Sequence, residues 1–126
     1  MDKSKQGRRS RNRGANGERE LSKIFNEFYG YNTHRGYVFH KQSDVVGLEG
    51  IHVECKRVEK LNIHNAMKQA IEESEKRKDG LPTVFHRRNR EGWLVTMRLE
   101  DWMDLYGGWI DERTEKRTDK PKQEDT

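Results

Sequence analysis

Three polar residues, Asp44, Glu54 and Lys56, have the types and the spacing for metal-assisted chemistry at a phosphate. Glu54 and Lys56 stand two apart in a predicted strand, so their side chains leave the same face. A hairpin turn at Gly47–Gly50 would bring the Asp44 carboxylate close to Glu54. Two carboxylates at a partly open site suit Mg²⁺, with Mn²⁺ as a substitute, and Lys56 would orient or help to deprotonate the attacking water. The alternative is an ordinary Glu–Lys ion pair on a solvated strand face.

A further carboxylate comes from a helix predicted over residues 15–29. Its apolar stripe consists of Leu21, Ile24, Phe25 and Phe28. Glu18 follows this stripe, so we expect it at the core-facing edge, whereas Glu20 lies about 200° around the helix from Glu18 and should face solvent. A charged group aimed towards a sheet needs a partner, and a metal ion or its bound water is one candidate. The alternative for Glu18 is a helix N-terminal acid stabilised by the macrodipole.

The elements that must position these residues follow the order helix, three strands, helix, two strands, helix. Strands are predicted at 35–40, 44–46, 51–58, 81–86 and 93–97, and helices at 15–29, 64–78 and 99–106. The strand–helix–strand crossover in the middle predicts an α/β fold, a single domain with a central mixed β-sheet flanked by helices.

Composition limits the alternatives. The chain has 126 residues, 30% hydrophobic and 38% charged, which predicts one domain with a modest core. No apolar run approaches the roughly 18 residues of a membrane span. A single cysteine, Cys55, excludes an intramolecular disulfide and a cysteine-cluster zinc site. These features make a cytoplasmic location without a membrane partner the expectation.

The net charge of +4 is unevenly distributed, because residues 1–13 carry six basic residues and one acid. We predict a disordered basic arm over 1–13, a folded domain over 14–110 and a disordered charged tail over 111–126. Such an arm suits a polyanion, since each neutralised phosphate releases condensed counterions. A merely solubilising terminus is the alternative.

Three motifs together resemble those of the PD-(D/E)XK nuclease superfamily, which has the restriction-endonuclease-like fold. They are Gly17-Glu18-Arg19-Glu20-Leu21, Ser43-Asp44-Val45-Val46-Gly47 and His52-Val53-Glu54-Cys55-Lys56. Within this superfamily the chain looks like Holliday-junction resolvases of the archaeal type and their bacteriophage relatives. Each motif is degenerate, but their order and spacing over residues 14–98 are specific.

The resemblance implies a catalytic set of Glu18, Asp44, Glu54 and Lys56. Asp44 and Glu54 would hold a divalent metal with the backbone carbonyl of Cys55, and Glu18 would join through the metal's waters. Lys56 would contact the scissile phosphate or the water. Cleavage would leave 5′-phosphate and 3′-hydroxyl ends, and resolvases act as two-fold homodimers.

Two further site candidates come from the same resemblance. Ser43 stands where many members have proline, and archaeal resolvases use a serine in the loop before the aspartate. Gln69 lies on the helix after Glu-x-Lys, where many of these nucleases place a polar residue. A solvated glutamine is the alternative.

Basic residues outside the catalytic set are candidates for binding the DNA backbone. They are Arg13 in the arm, Arg57 after the active strand, and Arg87, Arg88 and Arg90 in the turn Arg87-Arg88-Asn89-Arg90. Arginine forks match phosphates bidentately, although the turn could be simply a charged hairpin. The helical stripe Trp102, Leu105, Tyr106 and Trp109 indicates either core packing or a dimer interface.

The leading hypothesis is therefore an Mg²⁺-dependent endonuclease that resolves four-way DNA junctions as a homodimer. The alternatives are another PD-(D/E)XK nuclease that acts on flap or nicked DNA, and a non-catalytic DNA-binding protein. A His-Asn-His nuclease is disfavoured, because His64-Asn65 and His86 with Asn89 lack paired histidines and a supporting fold pattern.

Overall fold

The computed structural model describes residues 3–29, 32–36 and 44–119, with side chains for residues 14–28, 32–36 and 44–117. Its elements are α1 (Lys3–Tyr29), β1 (His34–Arg35), β2 (Val45–Val46), β3 (Ile51–Arg57), α2 (Ile63–Arg77), β4 (Leu81–Arg87), β5 (Leu94–Met97) and α3 (Leu99–Asp119). This is the order of elements that the sequence predicts. The α/β class, with a restriction-endonuclease-like mixed sheet, is confirmed.

The described strands form a five-stranded sheet in the order β1-β2-β3-β4-β5. β3 and β4 run parallel, and each of the other neighbouring pairs runs antiparallel. The crossover from β3 to β4 passes through α2, as a parallel connection requires. In the register of this sheet Val45 stands opposite Val53, and Lys56 stands opposite His86. β3 is therefore the central strand, covered on both faces.

Apolar residues on the two faces of the sheet form two small clusters. The first joins α1 to the sheet and comprises Leu21, Val45, Val53, Cys55 and Phe85. Phe25 adds an edge-to-face contact with Phe85, with 5.3 Å between ring centroids. The second cluster comprises Ala66, Ala70 and Val84, under α2. Because side chains alternate along β3, Val53 and Cys55 face α1, while Glu54 and Lys56 face the α2 side.

Short connections hold α2 in place over β3 and β4. Asn62 caps its N-terminus by accepting a hydrogen bond from the backbone N–H of Asn65 at 3.1 Å. Lys78 ends it in the left-handed region, with its N–H bonded to the carbonyl of Ser74. Gly80 then passes so close to Gly50 that an added Cβ would lie 2.4 Å from the Gly50 backbone. Only glycine fits this junction between α2 and β4.

Several boundaries differ from those the sequence predicts. Residues 3–13 and 111–119 have helical backbone as parts of α1 and α3, where the sequence predicts a disordered arm and tail. These extensions are rich in charged and polar residues such as Arg and Lys, whose helix propensity allows a nucleated helix to propagate. The predicted strand at 35–40 is represented by β1, and residues 37–40 lie outside the described residues.

One prediction of core packing is wrong, and for α3 the core-packing alternative is not met. Phe28, placed on the apolar stripe of α1, is 72% exposed. Periodicity specifies the direction of a side chain but not how far the sheet extends beneath it, and β1 is only two residues long. The α3 stripe is also exposed, including Trp102 at 49% and Trp109 at 51%. Within the stripe, Trp102 stacks on Tyr106 with 5.3 Å between centroids.

Candidate active site

A pocket of about 320 Å³ brings together the four residues predicted to be catalytic. Glu18 comes from α1, Asp44 from the residue before β2, and Glu54 and Lys56 from β3. The other lining residues are Gly14, Cys55, Arg57, Val58 and Gln69. The convergence of these groups from three separate segments is what the motif spacing predicts, and Gln69, named as a further candidate, also lines the pocket.

Asp44 is fixed against β3 by both its backbone and its side chain. Its backbone N–H donates to the carbonyl of Val53 at 3.0 Å, and its side-chain Oδ2 accepts from the backbone N–H of Cys55 at 2.7 Å. Burial, together with the nearby Glu54 carboxylate, raises the pKa of Asp44 to about 7. Asp44 is thus a preoriented carboxyl group whose negative charge is disfavoured in the metal-free pocket.

Glu54 is a buried carboxylate, only 4% exposed. Burial by itself would raise its pKa, but the His52 ring and the Lys56 ammonium outweigh burial, so the pKa of Glu54 lies below its usual value. Its Oε1 lies 3.4 Å from Lys56 Nζ, and its Oε2 lies 3.7 Å from His52 Nε2. Glu54 therefore carries negative charge within the pocket. This charge raises the pKa of the neighbouring Asp44.

Lys56 reaches into the pocket from the end of β3. Its ammonium donates a hydrogen bond to Gln69 Oε1 at 3.1 Å, in addition to its ion pair with Glu54. The side chain is 28% exposed, so the ammonium faces the opening of the pocket. The predicted proximity of Lys56 to Glu54 is present in the structure, together with a link to α2 through Gln69.

Glu18 has a partner that the sequence analysis did not identify. Arg35 of β1 donates a hydrogen bond from Nε to Glu18 Oε2. α1 can bring Glu18 to this position because Gly17 packs against β3, where an added Cβ would lie 3.1 Å from the Cβ of Arg57. Glu18 lines the pocket as predicted, and Arg35 balances its charge.

The donor set of the pocket fits a divalent metal ion. Asp44 and Glu54 are neighbouring carboxyl groups with hard oxygen donors, and the Glu54 charge adds to burial in raising the pKa of Asp44. The backbone carbonyl of Cys55 is the further oxygen ligand that the motif implies. The thiol of Cys55 is buried, and burial raises its pKa, so the thiol has no nucleophilic role. Across the described side chains, no three or more His, Cys, Asp and Glu groups are clustered tightly enough to hold a metal by themselves. Two carboxylates with a carbonyl and water remain the fitting set.

The prediction that Glu20 faces solvent is wrong. Arg87 Nη2 donates to Glu20 Oε2 at 2.9 Å, and the indole N–H of Trp93 donates to Glu20 Oε1 at 2.9 Å. The Arg87 hydrogen bond is the main reason that the pKa of Glu20 is lowered. Arg87 is paired with Glu20 and its side chain is only 13% exposed, and its contact with a phosphate stays a prediction.

The remaining basic candidates differ in their exposure. Arg88 and Arg90 are exposed in the turn between β4 and β5, while Arg57 is partly buried and lies 4.0 Å from Glu20. The turn is tied to the end of β3 because the backbone N–H of Asn89 donates to Glu59 Oε1 at 2.9 Å. Ser43 and the side chain of Arg13 lie outside the described residues.

The sequence analysis also missed the residues that surround Glu54. His52 is completely buried, and its Nδ1 lies 2.8 and 2.9 Å from the two carboxylate oxygens of Asp79. Burial would lower the pKa of His52, but Glu54 and Asp79 together raise it. Polar alternation along β3 was the one available signal, since His52 shares the face of Glu54 and Lys56.

The mixed sheet, the paired carboxylates and the lysine two residues after Glu54 define a nuclease domain of the restriction-endonuclease-like type. A family model described as "Phage putative PDDEXK endonuclease" matches residues 9–125, and the chain belongs to this family. Membership supports endonuclease activity and, as PD-(D/E)XK nucleases generally do, use of a divalent metal. None of the curated proteins compared with the chain matches it. The described helices include none with the length and apolar character to cross a membrane.

Proposed function

We propose that this protein is an Mg²⁺-dependent endonuclease that resolves branched DNA, with four-way junctions as its preferred substrate. The observation that carries the proposal is the single pocket in which Glu18, Asp44, Glu54 and Lys56 converge. A DNA-binding protein without catalytic activity would gain nothing from three carboxylates facing a phosphate, because they repel it.

In this proposal Asp44, Glu54 and the Cys55 carbonyl hold the metal, which when bound polarises the phosphate and lowers the pKa of an attacking water. Mn²⁺ would substitute for Mg²⁺. Lys56, anchored by Gln69, binds a phosphate oxygen or orients the water through Nζ. Glu18, held by Arg35, orients a water at the side of the pocket.

Positioning of the DNA is assigned to the cationic residues that have exposed guanidinium groups. Arg88 and Arg90 lie in the β4–β5 turn, which is anchored to Glu59 just beyond the active strand. Their guanidinium forks suit phosphate oxygens and carry no sequence information, in keeping with recognition of DNA shape. The basic segment 1–13, including Arg13, would add salt-dependent affinity.

A second copy of the chain is proposed to cover α3. Its exposed stripe includes Trp102, Tyr106 and Trp109, and aromatic residues of this kind are enriched at the cores of interfaces. A two-fold homodimer would present two equivalent pockets to opposed strands of a two-fold junction. The proposed site of action is the cytoplasm, that of the host if the protein is phage-encoded.

The test is cleavage of a panel of labelled DNAs of matched sequence: a four-way junction, a 5′ flap, a nicked duplex and a linear duplex, each with and without Mg²⁺. The expected result is symmetric, Mg²⁺-dependent cutting of the junction at least about tenfold faster than of the other substrates. Preferential cutting of the flap or nicked duplex would replace the resolvase assignment by a different nuclease. Salt-dependent binding without cutting of any substrate would leave only a DNA-binding protein.

A further inference from the structure

The buried Glu54 carboxylate belongs to a row of polar groups, two of which the proposed catalytic set leaves unexplained. Asp79, in the loop between α2 and β4, contacts His52 Nδ1 through both carboxylate oxygens, at 2.8 and 2.9 Å. The opposite ring nitrogen, His52 Nε2, lies 3.7 Å from Glu54 Oε2. The row therefore runs Asp79, His52, Glu54 and, at the other oxygen of Glu54, Lys56 at 3.4 Å.

The burial of His52 makes this arrangement informative. Its side chain is 1% exposed, and burying an imidazole without partners for both nitrogens costs free energy. Nδ1 is satisfied by Asp79, whereas Nε2 has no hydrogen-bond partner within the described residues and has the Glu54 carboxylate as its neighbour. The two ring nitrogens of His52 thus face two carboxylates, Asp79 on one side and Glu54 on the other.

A purely structural tie between β3 and the α2–β4 loop is the competing explanation. That loop is already fixed by two other contacts. The backbone N–H of Lys78 donates to Ser74 at 2.7 Å, and that of Leu81 donates to Gly50 at 2.8 Å. The close approach of Gly80 to Gly50 further restricts it. Unlike these other contacts of the loop, the Asp79–His52 pair extends to Glu54.

We propose that Asp79 and His52 are positioning residues for Glu54. Asp79 fixes the orientation of the His52 ring, and the ring restrains Oε2 of Glu54, so that the carboxylate keeps Oε1, beside Lys56, directed to the pocket. The inference rests on the proposed function, since it takes Glu54 to be a metal ligand. It adds two residues that lie outside the predicted catalytic set and that would touch neither metal nor DNA. Outer-shell partners that orient metal ligands commonly contribute about 10–100-fold in metal affinity.

The first test compares Asp79→Ala and Asp79→Asn by Mn²⁺ binding to the free protein, followed by electron paramagnetic resonance. Asn keeps an oxygen acceptor for the His52 N–H, whereas Ala removes it. We expect Asp79→Ala to weaken Mn²⁺ binding about 10–100-fold and Asp79→Asn to retain most of the affinity. DNA binding without metal should stay unchanged in both, and Glu72→Ala, an exposed acid on α2, is the matched control. Wild-type affinity in a folded Asp79→Ala protein would overturn the inference.

The second test needs no substitution, so a folding defect cannot obscure it. In the wild-type protein, the ring ¹⁵N signals of His52 should shift on titration with Mg²⁺, while those of His86, bonded to Thr96 at 2.8 Å, should not. Saturation with Mg²⁺ without a change at His52 would contradict the inference. If the wild type neither bound Mn²⁺ nor cut DNA, the proposed function itself would fail. If the wild type bound Mn²⁺ and cut DNA, and Asp79→Ala did both equally well, only this inference would be overturned.

Discussion

The pocket region and helix α3 differ in how far their side chains are buried and paired with other residues of the chain. Around the pocket, apolar residues such as Val53 and Val84 are fully buried, and every carboxylate has a cationic or N–H partner. Along α3, by contrast, Trp102 and Trp109 leave about half of their surface exposed. The four pocket residues thus converge within one chain, whereas the aromatic stripe of α3 stays exposed in the structure. Substitutions in the two regions should therefore have different kinds of effect.

The largest effect is expected at the two pocket carboxylates. Asp44→Asn and Glu54→Gln should each reduce Mg²⁺-dependent DNA cleavage by at least about 100-fold, because each removes a metal ligand. Junction binding, measured by mobility shift in EDTA, should stay within about threefold of wild type, as the phosphate contacts are made elsewhere. Glu72→Gln, on the exposed side of α2, is the control. Full cleavage by either pocket variant would remove that residue from the site.

Substitutions in the core and in α3 should differ in their effect on the free energy of unfolding. Leu21→Ala, at a side chain that is 2% exposed, should lower the free energy of unfolding by about 2–4 kcal/mol through lost burial and a residual cavity. Trp102→Ala should change the stability of the dilute monomer by less than about 0.5 kcal/mol, because its ring is half exposed. Urea denaturation at low protein concentration measures both. Equal losses would mean that α3 is packed against the rest of the chain.

The exposed stripe of α3 also predicts how a substitution there changes self-association of the protein. Trp109→Glu should weaken self-association by about 2 kcal/mol or roughly 30-fold, because it places a charge in the proposed interface core. Analytical ultracentrifugation over a range of concentrations measures the change, with Glu112→Gln, on the exposed second half of α3, as the control. A wild-type protein that stays monomeric at all concentrations would remove the dimer from the proposal, and leave the pocket assignments intact.

A smaller effect concerns the pH dependence of metal binding. The pKa of Asp44 is raised to about 7, so the metal-free pocket holds a proton below that pH which the metal must displace. Apparent Mg²⁺ affinity should therefore rise up to tenfold per pH unit between about pH 5.5 and 7 and then level off. Calorimetric titration in two buffers of different ionisation enthalpy reports the released proton directly. Affinity that is constant from pH 5.5 to 8 would contradict the raised pKa.

Much of the fold and the core of the site follows from local sequence patterns. Alternation along residues 51–58 correctly places Val53 and Cys55 opposite Glu54 and Lys56, and the glycine-bounded turn places Asp44 beside them. These features depend on neighbours within about a dozen residues, for which periodicity is informative.

The parts that sequence patterns did not predict depend on contacts between distant segments. Glu20 is held by Arg87, 67 residues away, and His52 by Asp79, 27 residues away. A helical period gives the angle between Glu18 and Glu20 but not which cations lie opposite either one. The α3 stripe has the same spacing whether it is buried or exposed, so only the structure distinguishes the two.

The central claim is that a divalent metal held by Asp44 and Glu54 cuts a phosphodiester. Its most direct test is a single time course with an end-labelled four-way junction in Mg²⁺, then with excess EDTA, then with Mg²⁺ restored. We predict cutting that stops on chelation and resumes on restoration, with 5′-phosphate and 3′-hydroxyl ends. Cutting that continues undiminished in EDTA would contradict the account.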